Sequence, residues 1–363
     1  MAFLSILLLL CAFPLSNAVG RLRTFNISDK KTNISEALNF CKSNYINLVT
    51  VYDEEDNKKL YEMIDTSALI GAHTNNTNYT SKWSNGDDVT FTRLSGTCEG
   101  GKICGAAFKA NGLWELLPYN PTINFMCYEE GVGQVSDKYI LILLNKTWTE
   151  AQLYCRKNHT DLVSIRNEKE NERVKSMIND SEFPFWIGLL YDNIEWFDGG
   201  KSAYRNYFKI PNQNKSTLFI KQSVPPWIQG TTTGSYNALC YKSLIHVSSD
   251  EMSWEEALDY CNSNASGLLH IESQYDQKET ERELRRQKIS GPVWIGLRQS
   301  RLFGFWIWVS GLQVGPWTNW KEGGQPEHQK SLNCGAIERV NGVFKWSNRD
   351  CRSTFRVLCE GSN

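Results

Sequence analysis

The chain repeats one pattern three times, and this repetition restricts its possible architectures more than any other feature. Each copy begins with Glu-Ala, followed by an aromatic residue and a cysteine that fall on one face of a helix. A tryptophan then precedes the last cysteine of every copy by 13 residues. These pairs are Trp114 and Cys127, Trp227 and Cys240, and Trp346 and Cys359. Such regular spacing within 363 residues predicts three related domains.

The same elements are predicted between these landmarks in every copy. An apolar run begins seven residues after the first cysteine, which is Cys41, Cys155 or Cys261. Acidic and amide residues then open a second helix near 54–64, 168–178 and 274–287. An apolar strand with a central glycine follows, at Gly71, Gly188 and Gly296. Each copy is therefore predicted to contain two helices followed by an apolar strand, in the same order.

An uncharged apolar run from Phe3 to Leu15 precedes the first copy and ends at Ser16-Asn17-Ala18. The run is shorter than the ~20 residues that span a bilayer, so we predict a cleaved signal peptide over residues 1–18. A buried N-terminal strand is the alternative. Cleavage would remove Cys11 and leave ten of the 11 cysteines, and no second apolar run of membrane length follows. We therefore expect a secreted, extracellular protein with disulfides and no membrane span.

Nine N-x-Ser/Thr sequons agree with secretion, since they are glycosylated only in the secretory pathway. They are Asn26, Asn33, Asn75, Asn78, Asn145, Asn158, Asn179, Asn214 and Asn264. The net charge of -1 offers no basic surface, so nucleic-acid binding is not expected. No nucleophile elbow, phosphate-binding loop or zinc-like spacing of His and Cys occurs, so we expect no enzyme.

The order of these landmarks resembles the C-type lectin-like domain, most closely in the third copy. The resemblance covers about residues 22–360 and extends to the macrophage mannose receptor family of immune recognition proteins, but without their membrane anchor. It implies three tandem α+β domains, each with two helices flanking antiparallel sheets and a long loop region. The implied segments are domain 1 at 22–128, a linker at 129–136, domain 2 at 137–241 and domain 3 at 242–360. We call the three domain segments repeat 1, repeat 2 and repeat 3.

The resemblance also implies the disulfides. An outer bridge from the first helix to the last strand gives Cys41–Cys127, Cys155–Cys240 and Cys261–Cys359, and an inner bridge in repeat 3 gives Cys334–Cys351. Repeat 1 has Tyr119 where the inner partner of Cys104 belongs, so we pair Cys104 with Cys98. Because almost no linker separates repeats 2 and 3, we expect these two to form a fixed pair and repeat 1 to be freer.

In sugar-binding members of this family, a Glu-Pro-Asn or Gln-Pro-Asp triplet, a further carboxylate and an Asn and Asp after the strand tryptophan hold one Ca²⁺. The residues of repeat 3 at these positions are Gln325, Glu327, Ser347 and Asn348. Leu332 occupies the position of the further carboxylate. Asp350 is the alternative source of a second carboxylate for the site. Calcium needs six to eight oxygen ligands, several of them anionic. We therefore expect weak or no calcium binding and no other cofactor.

Six aromatic residues of repeat 3 offer a sugar-stacking platform as an alternative to core packing: Phe303, Phe305, Trp306, Trp308, Trp317 and Trp320. Most are expected in the core, because buried aromatic residues dominate core energetics. Trp317 and Trp320 are expected nearest to a ligand loop. The second helix of repeat 3 has four cations, which we interpret as a solvated face, with an anionic-ligand patch as the alternative. They are Arg282, Arg285, Arg286 and Lys288.

These patterns together predict a secreted lectin-like recognition protein that binds a glycan or an extracellular protein with weak or no calcium dependence. One alternative is a calcium-dependent carbohydrate receptor that acts through repeat 3. Another is an adaptor or decoy that binds no sugar. The candidate ligand-binding residues are Gln325, Glu327, Trp317, Trp320 and Asn348.

Overall fold

The computed structural model describes most of the chain from residue 21 to residue 362. The described ranges are 21–74, 79–98, 103–118, 120–131, 138–179, 182–206, 216–221, 226–230, 234–300, 302–327, 331–340 and 342–362. The predicted signal peptide 1–18, most of the predicted linker 129–136 and the sequons at Asn75, Asn78 and Asn214 lie outside the described residues.

Each repeat forms two helices within the described residues. They are α1 (Ile34–Asn44) and α2 (Glu54–Met63) in repeat 1, α3 (Trp148–Asn158) and α4 (Glu168–Ser176) in repeat 2, and α5 (Trp254–Asn264) and α6 (Gln274–Arg286) in repeat 3. Thr147 and Ser253 begin α3 and α5 with capping boxes, in which a glutamate bonds back to the cap residue. The alanine and cysteine of each first helix are buried, as the helical spacing predicts. The second helices end within two residues of their predicted bounds.

Twenty strands connect and pack against these helices in the described part of the chain. Repeat 1 forms β1 (Arg23–Ile27), β2 (Asn47–Leu48), β3 (Ser67–Thr74), β4 (Thr80–Trp83), β5 (Cys104–Phe108), β6 (Trp114–Pro118) and β7 (Ile123–Glu129). Repeat 2 forms β8 (Lys138–Lys146), β9 (Asp161–Leu162), β10 (Phe185–Asp192), β11 (Ile194–Trp196), β12 (Thr217–Lys221), β13 (Ile228–Gly230) and β14 (Asn237–Ser243). Repeat 3 forms β15 (Ile245–Val247), β16 (Val293–Gln299), β17 (Trp306–Trp308), β18 (Cys334–Val340), β19 (Val343–Arg349) and β20 (Arg356–Glu360).

Repeats 1 and 2 exchange halves. One sheet has the order β1-β14-β3-β12-β13, with β11 on β3 and β2 on β14, so the first half of repeat 1 is completed by the second half of repeat 2. We call this assembly unit A. The converse assembly, unit B, has the order β6-β5-β10-β7-β8, with β4 on β10 and β9 on β7. Repeat 3 closes on itself in the order β15-β20-β16-β18-β19, with β17 on β16.

The disulfides follow this exchange and correct two predicted pairs. Cys41 bonds to Cys240 and Cys127 bonds to Cys155. The predicted pairs Cys41–Cys127 and Cys155–Cys240 are therefore wrong, because the last strand beside α1 and β3 is β14 rather than β7. Each outer bridge still joins a first helix to a last strand, but it joins different repeats. The remaining three bridges occur as predicted: Cys98–Cys104, Cys261–Cys359 and Cys334–Cys351.

A tryptophan contact shows that the exchanged halves replace each other. In repeat 3, Trp346 Nε1 donates a hydrogen bond to Gln277 Oε1 on α6, at 3.0 Å and within one repeat. The same bond forms between repeats in the exchanged units, from Trp227 to Asn57 at 2.8 Å and from Trp114 to Asn171 at 2.9 Å. Units A and B are thus complete domains, each assembled from two repeats.

The length of one connection explains the exchange. Repeat 3 has 12 residues from Gly296 to Trp308, and a six-residue loop returns β16 to β17. Repeat 2 has only eight residues from Gly188 to Trp196, and Asn193 alone separates β10 from β11. The commonest short hairpin loop has two residues, so one residue cannot turn the strand back. The chain of repeat 2 instead continues from unit B into unit A. The second half of repeat 1 then completes unit B.

A buried ion cluster lies at this crossover. The fully buried Asp192 accepts hydrogen bonds from Arg205 Nε at 2.6 Å and from Lys82 Nζ at 2.5 Å. Burial alone would raise the pKa of the Asp192 carboxyl, but Arg205 and Lys82 outweigh burial and hold this pKa below its ordinary value. Desolvation lowers the pKa of the Lys82 ammonium despite Asp192, so we regard Arg205 as the stronger partner.

The Asp192 carboxylate is expected to make stability depend on pH. A carboxyl whose pKa is depressed by folding stabilises the folded state above its unfolded pKa of about 3.9, and this contribution is lost as the pH falls through the folded value. Asp192→Asn should therefore cost about 2 kcal/mol near neutral pH, because two buried cations lose a charged acceptor. The difference between variant and parent should shrink below about pH 4. Urea unfolding at both pH values measures it, and an equal difference at both would contradict the assignment.

Repeat 3 packs against both exchanged units through α6. Arg282 donates to Asp53 of α2's N-terminus at 2.5 Å, and Arg285 donates to Asp87 at 3.0 Å. The Arg282 and Arg285 side chains are only 13% and 14% exposed, so the predicted solvated face is wrong for these two. Of the other two cations, Arg286 pairs with Glu283 on its own helix, and Lys288 is exposed.

The prediction that repeat 1 is freer than the other two repeats is also wrong. Two disulfides join repeat 1 to repeat 2, and the ion pairs from α6 join it to repeat 3. Leu22 packs in the core of repeat 3, and the backbone N–H of Leu244 donates to its carbonyl at 2.9 Å. Repeat 1 therefore contacts both other repeats instead of forming a separate, freer domain.

Candidate functional site

The predicted ligand loop of repeat 3 is held through its backbone. The Pro326 carbonyl accepts hydrogen bonds from Trp306 Nε1 at 3.2 Å and from Gln299 Nε2 at 3.4 Å. On either side of this proline, Gln325 and Glu327 are exposed. Both predicted side chains are therefore presented to solvent.

The other two predicted metal ligands lie on β19, next to Trp346. Ser347 is 6% exposed, and its hydroxyl has no hydrogen-bond partner among the described residues. Asn348 is half-buried and lies opposite Gly335 of β18. Within the described part of the chain, no hydrogen bond links either residue to the exposed pair, Gln325 and Glu327. The four residues therefore stay a predicted ligand set.

Cations accompany the carboxylates around β19. Arg349 pairs with Glu338 across the β18–β19 ladder, and Lys321 Nζ lies 3.5 Å from the same carboxylate. Asp350, the alternative second carboxylate, accepts a hydrogen bond at Oδ1 from the backbone N–H of Arg352 at 3.0 Å. Its carboxylate is therefore part of a turn. Across the described ranges, no three His, Cys, Asp or Glu side chains form a group that could hold a metal ion. With Glu327 as its one carboxylate, the predicted donor set has fewer anionic ligands than calcium usually needs, and weak or no calcium binding stays a prediction.

The aromatic residues of repeat 3 divide into a core and an exposed pair. Trp306, Trp308 and Trp320 are at most 3% exposed. Trp320 packs against Trp346 at 5.6 Å, so its expected position near a ligand is wrong. Trp317 is half-buried and packs on Trp346 at 5.5 Å between ring centroids. These tryptophans belong to the core because they pack around the buried Trp346 of β19.

Phe303 and Phe305 are the exposed pair, with 71% and 51% of their surfaces accessible. Their rings lie 5.7 Å apart and nearly parallel, at 14°. Gln299 Nε2 donates to the carbonyl of Gly304 at 2.8 Å and also to that of Pro326, so the phenylalanine loop lies beside the triplet loop. Their position in the turn between β16 and β17, around Gly304 with φ +73°, is the sequence signal for exposure.

Comparison with known families identifies the domains. The family described as Lectin C-type domain matches residues 30–129, 144–242 and 250–361. The chain belongs to this lectin family. The predicted resemblance and the tandem α+β architecture are thereby confirmed. The three matches follow the sequence repeats, whereas units A and B each combine halves of the first two matches.

Several curated proteins of this lectin family are similar to the chain. The secretory phospholipase A2 receptor of Bos taurus is 27% identical, over 60% of this chain and 17% of that protein. C-type mannose receptor 2 of Homo sapiens is 23% identical, over 62% and 17%. The C-type lectin lectoxin-Phi1 of Philodryas olfersii is 29% identical, over 35% and 79%. The chain spans about a sixth of the length of the two receptors.

Solved structures match single portions of the chain. Human lithostathine is 24% identical, with a TM-score of 0.30, over 33% of this chain and 91% of that structure. The C-type lectin CEL-I from Cucumaria echinata is 23% identical, with a TM-score of 0.27, over 31% and 86%.

The sequons and the predicted absence of a membrane span bear on where the protein is located. Four sequon asparagines are exposed, namely Asn145, Asn158, Asn179 and Asn264, whereas Asn26 and Asn33 are half-buried. Their glycosylation stays a prediction. No helix in the described ranges is both long and apolar enough to cross a membrane.

Proposed function

We propose that this lectin-family protein is an extracellular recognition protein that binds a glycan or protein ligand through repeat 3 without requiring calcium. The observation that carries the proposal is the exposed Phe303–Phe305 pair beside the exposed Gln325 and Glu327. The single carboxylate of the donor set supports the absence of a calcium requirement.

The chemistry of this surface suits both ligand classes. Aromatic rings offer a large, rigid contact area that packs against the face of a sugar or an apolar side chain. The amide of Gln325 and the carboxylate of Glu327 offer directional hydrogen bonds at the edge of this contact. Exposed aromatic residues beside polar groups are the composition of an interaction site rather than of an ordinary monomer surface.

The extracellular setting is supported by the sequence and by the family. The apolar leader at residues 1–18, the sequons and the five disulfides all suit an oxidising compartment. The names of two relatives mention mannose and secretory phospholipase A2, a sugar and a protein. We therefore retain both ligand classes in the proposal, and we propose a binding role rather than an enzymatic one.

Replacing both exposed phenylalanines should abolish most ligand binding. The whole chain would be screened against arrays of glycans and of extracellular proteins, with calcium and with EDTA. For each ligand found, we expect Phe303→Ala with Phe305→Ala to lower affinity at least about tenfold, because central aromatic contacts dominate binding energy. EDTA should leave the affinity unchanged.

The matched control removes two other exposed apolar side chains. Leu143 and Leu144 are 61% and 47% exposed on β8, and their replacement by alanine should leave binding intact. Saturable calcium binding by calorimetry that enables sugar binding would overturn the proposal in favour of a calcium-dependent receptor. Equal losses in the phenylalanine and leucine variants would exclude the phenylalanine surface as the site.

A further inference from the structure

A cleft of about 790 Å³ lies where the three repeats meet. Its walls include Lys58 of α2, Arg156 of α3 and Gln277 of α6, which belong to repeats 1, 2 and 3. The volume lies within the range of small-molecule sites, roughly 300–1,000 Å³. The residues of the proposed ligand surface, such as Phe305 and Gln325, do not line it. The cleft is therefore a second, separate candidate site.

The acidic residues that line this cleft are already partnered. Six carboxylates belong to the described lining: Asp53, Glu54, Glu55, Glu130, Asp161 and Glu281. Their partners are, in the same order, Arg282, the hydroxyl of Tyr204, Lys59, Lys345, Arg156 and Arg285. Five of these carboxylates are thus ion-paired, and Glu54 accepts a hydrogen bond from the Tyr204 hydroxyl.

Three cations of the lining differ in this respect. Lys58, Lys157 and Lys278 are exposed, and none of them has an ion pair or hydrogen bond with a described residue. They come from α2, α3 and α6, so each repeat contributes one. The described lining has seven Lys and Arg side chains against six carboxylates, and these three lysines are the cations left without a described partner for an anionic ligand to use.

The nature of the remaining wall indicates the ligand class. Trp317 is half-buried and lines the cleft, so part of its ring is accessible to a bound molecule. Polar side chains such as Asn85, Thr160 and Gln274 provide hydrogen-bonding groups around it. An aromatic wall, polar groups and unpaired cations suit a sugar chain with acidic substituents, whereas an acidic peptide would use only the cations.

We propose that this cleft binds an acidic oligosaccharide. Lys58, Lys157 and Lys278 pair with its sulfate or carboxylate groups, and one sugar ring packs on Trp317. The site requires all three repeats, so it depends on the packing of α6 against the exchanged units. It goes beyond the proposed function, because it uses a different surface and names a ligand class.

Calorimetry on the whole chain with a heparin-derived octasaccharide tests the proposal. Replacing the three lysines by alanine should weaken binding about ten- to hundredfold, given the worth of three exposed ion pairs. The control variant replaces Lys31, Lys42 and Lys169, which are also exposed and unpaired among the described residues but lie outside the cleft. Its affinity should change by no more than about twofold, although it loses the same charge.

Further probes separate the alternatives. A hyaluronan octasaccharide has carboxylates only, so binding of either acidic octasaccharide supports the proposal and shows which group is preferred. An uncharged octasaccharide should not bind, and a polyglutamate peptide should bind at least about tenfold more weakly, since it has no ring for Trp317. Equal binding of polyglutamate would overturn the saccharide class in favour of an acidic peptide.

Two other results would also overturn the proposal. One is binding of neither acidic octasaccharide, and the other is equal loss in the two lysine variants. The variant with Phe303 and Phe305 replaced should bind heparin octasaccharide as the parent does. Failure of the proposed ligand surface and failure of the cleft are thereby distinguishable.

Discussion

A chain cut between repeats 1 and 2 is expected to remain one covalent molecule until its disulfides are reduced. Cys41–Cys240 and Cys127–Cys155 both join the part before the cut to the part after it. The cut would be made at a protease recognition sequence placed within 132–137, and the products would be run on a denaturing gel. We expect one band of full-length mass without reductant and two bands with it.

The short connection of repeat 2 provides the comparison variant. Replacing Asn193 by the six residues 300–305 of repeat 3 would provide the loop that a hairpin between β10 and β11 needs. We expect this variant, when cut, to release repeat 1 without reductant, because each repeat can then close on itself. Release of repeat 1 from the cut parent chain would contradict the exchange.

Arg282→Ala is expected to lower the free energy of unfolding by about 3–5 kcal/mol. The guanidinium lies 2.5 Å from Asp53 Oδ2 and 3.7 Å from Asp56 Oδ2, pairs with Glu279 and covers the ring of Tyr52. Its removal leaves the largely buried Asp53 and Glu279 without this cation, whereas Asp56 keeps Arg23. Unpaired buried charge is the costly part of the change. Urea unfolding followed by tryptophan fluorescence measures it.

Arg286→Ala is the matched control on the same helix. Arg286 pairs with Glu283 three residues away, and Gln287 also donates to that carboxylate, so Glu283 keeps a partner and the loss should be smaller, about 1–2 kcal/mol. If the two variants lost equal stability, Arg282 would not hold repeat 3 against the exchanged units. A smaller loss for Arg282 than for Arg286 would exclude the ion cluster as a major contribution.

Features set by neighbouring residues could be predicted from the sequence. Capping residues and helical spacing predicted the helices, because these signals act within one or two turns. The requirement for glycine in the apolar strand of each repeat is explained by a close backbone contact. A Cβ added at Gly188 would lie 2.9 Å from the Val163 carbonyl, too close for any side chain. The first half of each repeat therefore folds as its own sequence predicts.

The candidate site was predicted only in part. Gln325 and Glu327 are exposed as a ligand loop requires, but Trp320 is buried and the exposed rings belong to Phe303 and Phe305. The sequence alone could not separate these aromatic residues, because burial depends on which loop covers which face. The cleft was not predicted, since its lining comes from three repeats that meet only in the folded chain.

The sequence by itself determined the family, the three repeats, the helices and the chemistry of the cysteines, because each depends on residue types at fixed spacing. Only the tertiary structure decided which halves assemble. Repeats 1 and 2 offer equivalent last strands to either first helix, and backbone hydrogen bonds form equally well with a strand of either repeat. The choice between them rests on the connection at Asn193, which is too short to form a hairpin. The tertiary structure likewise placed Arg282 and Arg285 between repeats, because partners such as Asp53 and Asp87 are distant in sequence.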